Sequence, residues 1–188
     1  MTARSSLVVG ENNQVTPGSS PYTGFSIIAG TGNVLSGGMY RTFVSGYSNS
    51  VEATNSLVAG STNTVRGSSI GTSATGSSAI GGNNLVTTTH GWAMGYTNEI
   101  TGDYSMALGN INEVSASYGY ALGVGLRVNQ SNAVALGRYN GPMAAGDVLA
   151  VGSGSSATRN TALRVTSDGG VYLGRAQGDI SMGIYGGN

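Results

Sequence analysis

Three residues able to present a ring to a ligand, His90, Tyr104 and Tyr118, stand 14 residues apart in a chain of 188 residues. If each 14-residue step returns the chain to the same place on a surface, the rings form a strip about 10 Å tall, two strand spacings high. Such a strip has two readings: ladder packing at the turn into a strand, or an aromatic platform on which sugar rings stack. Tyr47 and Tyr96 are the second candidates, because each directly follows a glycine that closes a strand-like phrase, at a turn. These five residues make up the candidate ligand-binding set.

Other constellations point away from catalysis. Glu99, Glu113 and Arg127 share the same 14-residue spacing on a polar stretch. There they form a solvated charge ladder, in which Arg127 relieves the repulsion between the carboxylates, rather than a catalytic acid pair. Gly152-Ser153-Gly154-Ser155-Ser156-Ala157 matches the dinucleotide fingerprint G-x-G-x-x-A, but that motif must open a helix. Here Thr158 to Thr161 lead into the alternating pattern Ala162-Leu163-Arg164-Val165, which predicts a glycine-rich hairpin.

His90 is the sole histidine and the chain has no cysteine, so one chain can form no histidine pair, thiolate zinc site or disulfide. Asp103, Asp147, Asp168 and Asp179 are too few and out of register for a calcium-binding roll, which needs oxygen ligands on successive turns. Thr87-Thr88-Thr89 is an isolated cluster, not the regular threonine array of an ice-binding face. Asn129-Gln130-Ser131 matches the N-glycosylation acceptor, incidental without an export route. The expectation is a non-enzymatic protein with no cofactor and no metal.

The elements that position these residues follow from an internal repeat. Gly81, Gly95, Gly109, Gly123 and Gly137 recur every 14 residues, closing the phrases S-A-I-G, W-A-M-G, M-A-L-G, Y-A-L-G and V-A-L-G. Looser copies end at Gly10, Gly30, Gly46, Gly60 and Gly71, at intervals of 20, 16, 14, 11 and then 10 residues to Gly81. Loops are therefore inserted, notably from Pro17 to Gly24, or shortened. So short a period means a stacked solenoid.

Alignment on the glycine produces columns. Two residues before it stands Ala79, Ala93, Ala107, Ala121 or Ala135, while the positions one and three before it are mostly large and apolar. Strand side chains alternate faces, so both faces of this strand are expected to be buried, Ala and Gly on one and Leu or Met on the other. Three residues after the glycine comes Asn84, Asn98, Asn112 or Asn140, read as a turn residue tolerant of left-handed backbone. Five after it comes one apolar residue, Val86, Ile100, Val114 or Val128, in a polar stretch, which predicts a second strand buried on one face. The result is an all-β parallel roll with two strands per coil. The outer face of the first strand needs a cover, and identical chains around an axis supply one.

Composition agrees. Only 39% of residues are hydrophobic and 33 are glycine, so a thick globular core is not expected. Eight arginines balance eight acidic residues, with no lysine and no charged run. Nucleic acid and anionic membrane surfaces are poor partners for such a chain. No apolar run approaches the ~18 residues of a membrane span, so no membrane insertion is expected.

The S-x-A-[ILM]-G phrase, with its following Asn and lone Val in a 14-residue period, resembles the head repeats of YadA-like trimeric autotransporter adhesins, over roughly residues 5 to 141. The resemblance implies a left-handed parallel β-roll that assembles as an intertwined homotrimer, with residues 1–141 as the roll and 142–188 as a β-rich cap or attachment segment. Met1 to Gly10 runs into the first repeat without a signal-like apolar stretch, so the expectation is a roll without the signal peptide, coiled-coil stalk and membrane-barrel strands of such an adhesin. Residues 147–174 are similar to a V-G-x-G…R-x-x-A-[LF]-x-V segment that follows such rolls in bacteriophage tail and appendage proteins. These resemblances imply a phage virion surface protein, assembled in the host cytoplasm beside other virion proteins: a tail-fibre head or adhesive appendage contacting a host polysaccharide or receptor. A capsid decoration or head-fibre protein, and the head of a trimeric autotransporter adhesin at the bacterial cell surface, are the alternatives.

Overall fold

The computed structural model describes residues 6–17, 25–37, 41–67, 74–174 and 180–181. Among them every regular element is a strand and none is a helix. The repeat becomes a parallel β-solenoid. Each coil gives one long strand, such as Trp92–Tyr96, Met106–Asn110 or Tyr120–Val124, and one short strand, such as Glu99–Ile100, Glu113–Val114 or Arg127–Val128. Long strands stack in one parallel sheet and the short ones in an 8-stranded second sheet, which makes eight two-strand coils. The register holds the sequence columns together: Gly81, Gly95, Gly109, Gly123 and Gly137 pair in succession, and so do the alanines from Ala79 to Ala135.

The interior is as thin as its residues require. Ala79, Ala107, Ala121 and Ala135 are fully buried, as are Val65, Val86, Ile100 and Val114 of the short strands. A methyl group on one sheet against a branched side chain on the other leaves no space for a larger residue. Ala107→Leu is therefore expected to cost about 1–3 kcal/mol per chain through overpacking. Its melting temperature, set against that of an exposed substitution such as Asn110→Ser, measures this.

Within the single chain only the alanine face of the long strand is covered, and the other face is left without a cover, as the columns imply. In the columns one and three before the glycine several large side chains stay open, with Trp92 49%, Met94 45% and Leu122 37% exposed. A strand has two faces, and the one short strand per coil covers only one.

One correction concerns spacing. Gly60 pairs directly with Gly81, so the two intervals read around Gly71 are one coil of 21 residues. Ala53–Thr54 and Ala74–Thr75 pair beside it as a small parallel sheet of their own. The phrase ending at Gly71 and the inserted loop at positions 18–24 lie outside the described residues, as do positions 182–188.

The asparagine column is not the turn residue. Left-handed backbone falls one position earlier, at Asn83 (φ 53°), Thr97 (57°) and Ile111 (58°). Asn84, Asn98 and Asn112 are instead buried. From Asn33 to Asn112 each donates its Nδ2 to the Oδ1 of the asparagine one coil before, at 2.9–3.0 Å. The same nitrogen reaches the carbonyl of the next coil's phrase glycine, as from Asn98 to Gly109 at 2.8 Å. That carbonyl explains the glycine column. At Gly95 (φ +123°) a Cβ would lie 2.0 Å from the Gly109 oxygen. Glycine and asparagine columns are thus one device, in which the oxygen that leaves no room for a Cβ is the oxygen the amide bonds.

The ladder ends at Leu126, buried in the asparagine position, whose N–H still donates to Asn112 Oδ1 at 2.9 Å. Asn140 lies off the ladder, bridging the backbone N–H and carbonyl of Arg127 at 2.8 and 2.9 Å. Asp147–Ser153 then joins Val134–Arg138 as a parallel neighbour, with Ala150 beside Ala135 and Gly152 beside Gly137. Thr161–Thr166 returns antiparallel to it, and Val171–Leu173 and Ile180–Ser181 continue that pattern. The G-x-G-x-x-A match falls largely in the connecting loop, closed by Ser155 N donating to Thr158 O at 2.8 Å. It is a hairpin, as its sequence predicts.

Candidate functional site

His90, Tyr104 and Tyr118 sit where the chain turns into the long strand, each in left-handed backbone at φ 56–57°. Their N–H groups donate to the preceding coil, Tyr104 to Thr89 O at 3.0 Å and Tyr118 to Asp103 O at 2.9 Å. A bulky residue at positive φ is costly, and here each coil holds it in place. With the backbones superposed coil on coil, the rings stack: centroids are 4.8 Å apart for His90 and Tyr104 and 5.2 Å for Tyr104 and Tyr118, with planes within 6°.

This stacking changes the chemistry the strip offers. Both faces of Tyr104 are covered, one by His90 and one by Tyr118. A sugar cannot lie on a face already taken, so Tyr104 presents its edge and phenolic hydroxyl. The free π surface must come from elsewhere. Trp92, Met106 and Tyr120, two residues on in the same coils, join the column to line an open cleft of about 320 Å³. Trp92 is 49% and Tyr120 38% exposed. These two were not among the candidate residues, although their shared position two residues after the aromatic column was a readable signal.

Beside the cleft, Asp103 accepts hydrogen bonds from Thr88 Oγ1 and from the Thr89 N–H at 3.0 Å. Those bonds, with a smaller contribution from nearby His90, hold its carboxyl below the usual carboxylate range. Thr88 is buried, so part of the Thr87-Thr88-Thr89 cluster serves this local bond rather than a surface.

Tyr47 and Tyr96 are not brought to this cleft. They end their long strands, whereas the His90 column precedes them, and Ser61 and Gly82 separate the two in register. Tyr96 lies against Gly82, where a Cβ would be 3.0 Å from Cδ2, and its hydroxyl accepts from Asn83 Nδ2 at 2.7 Å. Tyr47 is 59% exposed. The charge column is as read: Glu99, Glu113 and Arg127 stack in register, and Arg127 Nε lies 3.0 Å from Glu113 Oε2 at the surface. Among the described residues no three His, Cys, Asp or Glu side chains gather as a metal site would require, and no helix is long and apolar enough to cross a membrane. No protein-family model matches the chain, and no curated protein matches it.

Proposed function

We propose that this chain is a non-enzymatic surface protein of a bacteriophage virion, a left-handed β-roll that works as a homotrimer in a tail-fibre head or related adhesive appendage. One observation carries the assembly. The uncovered face of the long-strand sheet exposes large apolar side chains along its length, from Leu7 and Val9 through Phe43 and Leu57 to Trp92, Met94 and Leu122, and its nine long strands at strand spacing make the stripe about 40 Å long. A lone chain would leave that stripe in water, beyond what monomers ordinarily expose. Packing three copies around an axis covers it.

The virion context rests on the similarity of residues 147–174 to phage appendage segments, and adhesion rests on the aromatic cleft. A trimer repeats each cleft three times, so weak contacts combine. The covered faces of the ring stack favour a second reading, a capsid decoration or head-fibre trimer, in which the column only packs.

Light scattering on the purified chain is expected to return the mass of three chains, and mass spectrometry of purified particles is expected to find it in the virion. A folded monomer at micromolar concentration would overturn the assembly. Absence from particles would overturn the virion reading and leave the cell-surface adhesin.

A further inference from the structure

The C-terminal hairpin folds back onto the roll and places Arg159 beside the last rung of the charge ladder. Glu113, Ser115, Arg127, Asn129, Pro142 and Arg159 line a recess of about 240 Å³. Two arginines and one glutamate thus line the recess, and the glutamate's carboxylate is already bound to Arg127 Nε at 3.0 Å. Arg159 is held rather than trailing in solvent. Its Nη1 donates to Gly125 O at 2.7 Å and to Asn140 O at 3.2 Å, and its guanidinium lies 5.7 Å from the centre of the Tyr139 ring.

Neutral carbonyls satisfy hydrogen-bond donors but supply no counter-charge. Burial, and secondarily Arg127, lower the pKa of Arg159 below the usual arginine value, with Glu113 and Tyr139 opposing. The recess is therefore short of one negative charge while its donors are already positioned. A guanidinium fork is the side-chain group best matched to a planar or tetrahedral oxyanion.

We propose that this recess is an oxyanion-binding site, which takes a carboxylate or phosphate group carried by a ligand, with Arg159 and Arg127 as the paired donors and Asn129 at its wall. Its volume suits one such group with its immediate substituents, as in an acidic sugar residue or a sugar phosphate. The site is independent of the aromatic cleft and of the virion reading.

The test titrates the full chain with inorganic phosphate, with galacturonate and with uncharged galactose, at constant ionic strength, following the arginine Nε–H signals by NMR. Saturable shifts of Arg127 and Arg159 are expected with phosphate, galacturonate or both, and none with galactose. Whichever anion binds identifies the source chemistry. Arg159→Gln is expected to abolish saturation, but it also removes the ties to Gly125 and Asn140. Glu113→Gln keeps those ties and removes the competing carboxylate, so it is expected to tighten anion binding about threefold to tenfold, a gain that misfolding cannot imitate. No shift with either anion up to tens of millimolar, equal binding of galactose, or unchanged affinity in Glu113→Gln overturns the proposal.

Discussion

Gly109→Ala abolishes the folded roll or lowers its stability by more than about 4 kcal/mol per chain, a large effect for a single methyl group. Gly109 has φ +118°, and a Cβ there would sit 2.0 Å from the Gly123 carbonyl oxygen and 3.3 Å from Asn112 Nδ2. The oxygen is held by the Asn112 amide at 2.9 Å and belongs to a backbone paired on both sides. It cannot withdraw without opening a coil. Gly169→Ala separates this clash from backbone strain, because Gly169 also has positive φ (+88°) but nothing within 4 Å of the added carbon. That control is expected to lose only about 1–2 kcal/mol. Chemical denaturation of the two variants checks the difference, and equal losses would mean that strain alone selects the glycine column.

Asn98→Asp is expected to cost on the order of 3–5 kcal/mol at neutral pH, although the side chain barely changes shape. Asn98 Nδ2 donates to Asn84 Oδ1 at 3.0 Å and Gly109 O at 2.8 Å, while its Oδ1 accepts from the N–H and Nδ2 of Asn112 at 3.1 and 3.0 Å. A carboxylate keeps the accepting role but turns both donor contacts into oxygen facing oxygen, in a buried place. Burial and those oxygens raise the carboxyl pKa of the folded variant above its unfolded value of about 3.9. The deficit is therefore small below the unfolded pKa, grows as pH rises toward the folded pKa, and is constant above it. Stability of the variant measured across that range should fall with rising pH relative to the parent. A pH-independent loss would mean that the ladder position is hydrated.

The alanine and valine columns were legible because burial acts directly on residue type, and Ala107 or Ile100 can be placed from spacing alone. The asparagines were legible in position but not in role. Turn propensity is a local property, whereas the partners of Asn98 lie 14 and 11 residues away and become neighbours only after the coil closes. Leu126 was the clue. Leucine is a poor choice for left-handed backbone but an ordinary one for a buried site, so its presence in the column argues for burial over turn geometry. The aromatic spacing likewise revealed that His90, Tyr104 and Tyr118 stack, but not that stacking would occupy the faces of Tyr104. Arg159 was not readable at all as a neighbour of Arg127, because it reaches that corner through a bond to Gly125, 34 residues earlier in sequence, once the hairpin has folded back.

The unequal coils share a property with a use of its own. The 20-, 16- and 21-residue coils keep their glycines, asparagines and lone apolar residues in register with their neighbours. In each, the surplus chain lies between the short strand and the next long strand: after Gln14–Pro17, after Val34–Gly37 and after Thr64–Val65. One corner of the roll thus absorbs changes in length while the other stays constant. A roll built this way can vary what it displays by lengthening loops along a single edge, without renegotiating its core, and foreign peptides spliced at that edge would inherit a fixed spacing from the coils beneath them.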